Sequence, residues 1–479
     1  MIVVDEAEFE VLPASIASAR AYRALALGDI LGAIEHARRA LTLAAEDDHV
    51  RRTQATALLG LAEYASGDLS AAEQSLLAFQ ASMWQAGDIA NALGITFILA
   101  NIWLARGRLR EAISAYQHTV QLATNRSALP IGTSDLYRGL SELLCEQGDL
   151  EHAAQLLLTA QRVGETAALT GSPHRLGVAQ ARLKAAQGDW ASALDLLNEA
   201  ERQYVRNPLP DQPVAAMKAR VWVRQEQLGQ ALTWVREQRL SPDDDLSYLR
   251  EFEHLTLVRV LIGRYRNDRD GESIREALHL LERLLQAAED GGRSGSVIEI
   301  LMLQALAYRA QDDLPCAFAA LERALSLAEP EGYVQLFVAE GEPMRLLIAD
   351  FGLWIEKQKH DRHHKISGYA EKLLVAFSAP ISEPQSTIVQ QKAETLTPAQ
   401  RSGASAGVRN QQSEMVDPLS EREGEVLKLL GTELSGPEIA RKLHVSLNTL
   451  RTHTKNIYSK LGVSNRRAAI RRAEELGLL

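Results

Sequence analysis

Apolar positions along the chain follow helical rather than alternating periods, and strand-like alternation is scarce. Ala, Leu, Glu, Gln and Arg dominate while aromatics make up 5% of the residues, so helix is the element expected throughout. The helical stretches are broken by a recurring mark of the form Gly-Asp-Leu-x-x-Ala. It stands at Gly28-Asp29-Ile30, Gly67-Asp68-Leu69, Gly107-Arg108-Leu109, Gly148-Asp149-Leu150 and Gly188-Asp189-Trp190, with degenerate copies at Glu226-Gln227-Leu228 and Asp312-Asp313-Leu314. Successive spacings among the first six marks are 39, 40, 41, 40 and 38 residues. The last gap, 86 residues, leaves room for one more copy, faintly visible around Gly271 with Ile274 and Ala277. Five positions after each of the seven marks stands an alanine: Ala33, Ala72, Ala112, Ala153, Ala193, Ala231 and Ala317.

Glycine takes the left-handed conformation that ends one helix, and aspartate caps the next. An alanine one and a half turns into the second helix lets two backbones approach closely. Each unit is therefore expected to be a helical hairpin, and stacked hairpins bury one another's apolar faces. The unit resembles a tetratricopeptide repeat of unusual length, and the predicted fold is all-α, a right-handed α-solenoid of TPR-like hairpins. A generic helical bundle with coincidental Gly-Asp turns is the alternative. A solenoid presents a concave surface to peptides, proteins or small ligands, which makes this part a sensor or docking scaffold without naming its ligand.

After the last mark, Glu329-Pro330-Glu331-Gly332-Tyr333 ends a helix, and another is expected after Pro343. Helical pattern persists through Phe377. Residues 378–416 are then rich in Ser, Ala, Pro, Gln and Gly, and read as a flexible linker. The expected organisation is a solenoid over 1–377, a linker over 378–416 and a small domain over 417–479. His360, His363 and His364 read as a solvated helix rather than a metal site, because no adequate ligand set surrounds them.

The small domain reads as four short helices. Ser420 and Glu423 form a capping box, with Val426, Leu427, Leu429 and Leu430 behind them as the apolar face. Ser435 caps a short second helix with Pro437 near its start, His444-Val445-Ser446 makes a tight turn, and a third helix runs to about Leu461. Two helices joined so closely are a helix-turn-helix. On a 100° wheel, Leu450, Thr454, Ile457 and Leu461 make a buried stripe. The opposite face carries Asn448, Arg451, Thr452, Lys455 and Ser459 and no acid, which suits base edges and phosphates in a major groove.

Charge sharpens that contrast. The chain holds 52 Lys+Arg against 62 Asp+Glu, net −10. Residues 417–479 hold 11 basic and 8 acidic side chains, and 441–472 hold nine basic residues and no acid. The remaining residues, 1–416, carry a net −13. An acidic body with a basic end is the asymmetry of a protein that touches a polyanion at one end.

The run Leu419-Ser420-Glu421-Arg422-Glu423, then Glu438-Ile439-Ala440-Arg441-Lys442-Leu443, then Asn448-Thr449-Leu450-Arg451-Thr452-His453-Thr454-Lys455 resembles a LuxR-type DNA-binding domain from Leu419 to about Glu475. The resemblance implies that Arg451, Thr452 and Lys455 face bases and that Thr449 and His453 lie at the groove and phosphate edge. The polar face and the basic residues of this end add Asn448, Ser459, Lys460 and Arg466 as expected DNA contacts. The resemblance assigns Glu423 to tying helices together. It implies double-stranded DNA as partner, pairing into a homodimer on two half-sites through the helix from Asn465, and RNA polymerase as a possible further partner. Glu433 stands where the family has glycine, and Gly436-Pro437 where it has Asn-Lys, so a phosphate contact expected there is lost. Solenoid and Ala-Glu-Pro-Glu-Gly-Tyr segment together resemble the C-terminal half of large ATP-dependent LuxR regulators of the maltose-activator (MalT-like) type. Their preceding nucleotide-binding module has no counterpart here: no GxxxxGK[ST] occurs, so no ATP hydrolysis and no cofactor are expected.

Other classes are disfavoured. Cys145 and Cys316 are too far apart in sequence for a disulfide framework or a CxxC motif, and both are expected to be buried. The N-terminus lacks a secretory pattern, and the longest apolar stretch, near Ala92–Ala100, is too short for a membrane span. The expectation is a cytoplasmic regulator that is not an enzyme and has no membrane partner. A protein-docking scaffold with a vestigial DNA-binding end is the rival.

Overall fold

A computed structural model describes residues 6–378 apart from 127, 205–212 and 359–363, then 421–430 and scattered positions from 439 to 473. The chain divides into two compact units, Met1–Ile388 and Val389–Leu479. Every element among the described residues is helical.

The first unit opens with eight helical hairpins. Turns of two or three residues join α1 (Glu6–Leu27) to α2 (Ile30–Leu43), α3 (His49–Ser66) to α4 (Leu69–Ala86), and α5 (Ile89–Ala105) to α6 (Leu109–Thr124), across Gly28, Gly67 and Gly107. The next are α7 (Thr133–Glu146) with α8 (Leu150–Ala167), α9 (Ser172–Ala186) with α10 (Trp190–Arg202), and α11 (Val214–Arg224) with α12 (Leu228–Glu237). The last are α13 (Glu251–Asp268) with α14 (Gly271–Asp290), and α15 (Ser294–Ala310) with α16 (Leu314–Ala328). The single-turn helix α17 (Gln335–Val338), then α18 (Glu342–Gln358) and α19 (His364–Ser378), complete the unit.

Turn chemistry explains the reversals. Gly28, Gly67, Gly107, Gly148 and Gly188 have φ between 71° and 87°, where a Cβ is strained. Asp29, Asp68, Asp149 and Asp189 each accept from the amide three residues on, at 3.0 to 3.3 Å. Arg108 and Gln227, which replace the aspartate, make no such cap. Glu226 and Asp312 keep the left-handed turn without glycine, at φ 60° and 62°. The seven alanines are at most 1% exposed, so each stands where two helices meet closely.

The structure refines the repeat at two turns and corrects one expectation. The faint copy turns at Arg269 (φ 56°), two residues before Gly271, and Asp270 caps the next helix through Glu272 N at 3.1 Å. Ile274 fills the alanine place there and is 1% exposed. Neither glycine nor alanine stands in register at this turn, which is why its sequence signal is weak and displaced. The same Gly-Asp chemistry also occurs between hairpins, at Gly87-Asp88, with φ 75° and a cap to Asn91 N at 3.3 Å. Cys145 is buried, but Cys316 is exposed, because it lies in the first turn of α16 where Asp313 caps its amide at 3.2 Å.

The solenoid also makes contacts beyond neighbouring hairpins. A Cβ on Gly67 would lie 3.0 Å from Tyr248, one on Gly107 would lie 3.1 Å from Ser294, and one on Gly148 would lie 3.0 Å from Val334. The turns of hairpins two, three and four thus abut the start of α13, the start of α15 and the segment that carries α17. Tyr64 and Tyr248 meet edge to face at 5.5 Å across the first of these joints. Charged groups meet in the interior as well: Arg220 reaches Glu299 at 3.0 Å, and Arg259 reaches Glu299 at 2.8 Å and Glu340 at 2.7 Å. The two guanidiniums hold the Glu299 carboxyl below the usual carboxylate range, against the burial that raises it.

The caps yield a paired prediction. Asp149→Ala should destabilise the unit by about 1 kcal/mol, whereas Gln227→Asp should stabilise it by a similar or smaller amount, since it supplies an absent cap. Urea unfolding of the helical circular-dichroism signal measures both, and shifts of opposite sign are expected.

Candidate nucleic-acid interface

The second unit is organised by one small core. Val426, Leu427, Ile439, Ile457, Ala469 and Ala473 are fully buried, Leu450 is 3% exposed and Leu430 is 5% exposed. Leu429, Leu443 and Val463 pack against them, half-buried. The helix α20 (Glu421–Leu430) presents Val426, Leu427 and Leu430 at helical spacing, as its pattern predicts. Leu443 N donates to Ile439 O at 3.0 Å, so the short second helix forms a helical turn there.

Leu450, Thr454 and Ile457 share the inward face of the next helix. Thr454 Oγ1 donates to Leu450 O at 2.8 Å, which satisfies the hydroxyl within the helix. The predicted buried stripe is thus buried at Leu450 and Ile457 and half-buried at Thr454; its fourth member, Leu461, lies outside the described residues. Every residue of the buried core is apolar, and the described Lys428, Arg441 and Lys442 are exposed. Asn448, Thr449, Arg451, Thr452, His453, Lys455, Ser459, Lys460 and Arg466, the proposed DNA contacts, lie outside the described residues, as do Ser420, Glu433, Gly436 and Pro437.

Residues 14–351 match the family model of the MalT-like TPR region. The chain belongs to the MalT-like TPR family. Residues 417–473 match bacterial regulatory proteins of the luxR family, which covers the small core just described. Among curated relatives, this MalT-like chain is 26% identical over 261 residues to the HTH-type transcriptional regulator MalT of Yersinia enterocolitica. It is 24% identical over 265 residues to that of Serratia proteamaculans. Each match covers 51% of this chain and 25% of the relative, so the shared part is a quarter of those proteins. Among solved structures, the Rap protein complexed with competence and sporulation factor is 10% identical, with 78% of this chain and 100% of that one covered, at a TM-score of 0.33. The P58(IPK) TPR domain is 13% identical, with 76% and 98% covered, at a TM-score of 0.20. Scores that low support no argument about function.

What the sequence did not single out lies in the first unit: Glu146, whose carboxylate and carbonyl both receive amides from a segment almost two hundred residues further on. Burial pushes its carboxyl up to about 7. An ordinary Leu-Cys-Glu-Gln helix end gives no local signal of such a distant partner.

The core predicts its own weak point. Ile457→Ala removes a fully buried side chain from this small core, at a cost of roughly 2–5 kcal/mol. Hydrogen exchange on the whole chain should then show residues 417–479 losing protection while α13 and α15 keep theirs.

Proposed function

We propose that the chain is a sequence-specific, DNA-binding transcription regulator of the cytoplasm and not an enzyme. In this reading residues 1–377 receive a small ligand or protein partner, 378–416 tether, and 417–479 read the major groove as a homodimer, with RNA polymerase a further partner. The observation that carries the reading is the inward face at Leu450, Thr454 and Ile457 within a luxR-family match. On a wheel of 100° per residue, Arg451, Thr452 and Lys455 are expected on the side opposite that face. A helix lying in the groove with two cations, an amide and hydroxyls presents the donors that guanine and adenine edges and phosphates accept.

A second reading, a docking scaffold whose DNA-binding end is vestigial, is favoured by Glu433 and by Gly436-Pro437, which replace groups of the family's pattern. Pull-down with residues 1–377 against the intact chain, alongside gel shift, separates the readings: capture of a partner with no DNA retention under any salt condition supports the scaffold.

Specific and non-specific contacts should respond differently. Arg451→Ala should cost about 1–3 kcal/mol and relax preference at one base position, whereas Arg466→Ala should weaken all sequences alike and flatten the salt slope by about one unit. Fluorescence anisotropy against matched and scrambled duplexes at several salt concentrations measures both.

A further inference from the structure

The segment between α16 and α18, whose Glu-Gly-Tyr motif stood out in the sequence, meets six separate helices. Glu331 Oε2 accepts Arg110 N at 3.0 Å, which caps the start of α6. Tyr333 Oη donates to Leu104 O, in the last turn of α5, at 3.3 Å. Val334 N donates to Glu146 O at 2.9 Å, and Leu336 N to Glu146 Oε1 at 2.8 Å, at the end of α7. Glu340 O accepts Arg224 Nη1 of α11 at 2.7 Å, and its carboxylate takes Arg259 of α13. Tyr369 of α19 donates its hydroxyl to Tyr333 O and stands edge-on to Phe337, ring centroids 6.4 Å apart.

Two features distinguish these contacts from those within a hairpin. The groups that the segment binds on hairpins three and four lie at helix ends, the Arg110 amide, the Leu104 carbonyl and the Glu146 carbonyl and carboxylate, and water can satisfy each of them once exposed. Parting there opens these groups to water, and at the far end Arg259 keeps Glu299 at 2.8 Å when Glu340 leaves, whereas pulling apart a hairpin would expose its whole apolar seam. The segment also holds Gly332 and Gly341 near its two ends, both left-handed at φ 79° and 66°, positions where the backbone can pivot without Cβ strain. What holds it seated is the burial of three side chains, Tyr333 at 5%, Val334 at 2% and Phe337 at 0% exposure.

We propose that residues 331–341 are a releasable strap, which closes the solenoid onto hairpins three and four and, through Tyr369 and Phe337, passes its seated or released state to α19. Since α19 is the last described helix before the luxR-family match, the strap couples the solenoid's closure to DNA binding. The DNA part of this inference rests on the function proposed above; the strap itself does not.

Native-state hydrogen exchange on the full chain tests the strap first. The Val334 and Leu336 amides should exchange about 100-fold faster than those of Leu257 and Ile300 in the neighbouring buried helices, because they open locally. Equal rates would mean that the strap leaves only when the unit unfolds, and would overturn the proposal. A reversible lock tests the coupling. A Cβ on Gly148 would lie 3.3 Å from Val334 Cβ, close to disulfide geometry. In a Cys145→Ala, Cys316→Ser background, Gly148→Cys with Val334→Cys should, once oxidised, slow exchange at Leu336 and across α19 at least tenfold. It should also change the affinity for the selected DNA site at least threefold, with both effects reversed by reductant. Identical exchange across α19 in the two redox states overturns the coupling. If neither state binds any DNA while the exchange result holds, the functional reading fails and the strap stands. Should the Gly148→Cys substitution prevent folding, Tyr369→Phe, which removes only the hydroxyl link to Tyr333, should speed exchange across α19 without altering the Leu336 amide; no change at α19 overturns the proposal.

Discussion

The architecture of the first unit hangs on one reversal: a left-handed residue that ends a helix and a side chain that caps the next, two positions with no loop between them. So tight a turn forces the two helices into immediate contact. Contact at that distance admits alanine and little else, which is why the seven alanines stand at a fixed offset and are almost inaccessible. Where the turn loses its glycine, Glu226, Arg269 and Asp312 adopt the left-handed conformation under tertiary constraint. Where the capping aspartate is absent, at Arg108 and Gln227, the hairpin persists, so packing outweighs any single cap.

Hairpins alone would give an open spiral in which each unit touches its neighbours. Here the turns also serve as contact points. Because glycine has no side chain, Gly67, Gly107 and Gly148 allow Tyr248, Ser294 and Val334 to approach within van der Waals distance, and the same residue type that reverses the chain lets distant parts of the solenoid meet. The interior charges follow from that closure. Arg220, Arg259, Glu299 and Glu340 come from four separate elements, and each would be costly to bury without its partners.

Local chemistry was legible in the sequence, and long-range partners were not. The turn positions, the caps and the buried alanines could be read because a period of about forty residues repeats them, and the Val426, Leu427, Leu430, Leu450 and Ile457 core could be read from helical spacing. The seventh turn was only faint because Arg269 and Ile274 carry neither of its signature residues, and Cys316 was misjudged because residue type says less about burial than place in a helix's first turn. Glu146 and Tyr333 gave no local sign of meeting, since nothing in a helix end reveals which amide arrives from 190 residues away. The proposed base-reading residues rest on the family resemblance and on the helical wheel of the sequence.

The most direct measurement is selection of bound duplexes from a random DNA pool by the full chain, repeated with Arg451→Ala. The account predicts enrichment of one motif built of two related half-sites, with at least one base position losing its preference in the variant. A pool no more enriched than its input, or a motif that the variant selects unchanged, would contradict it.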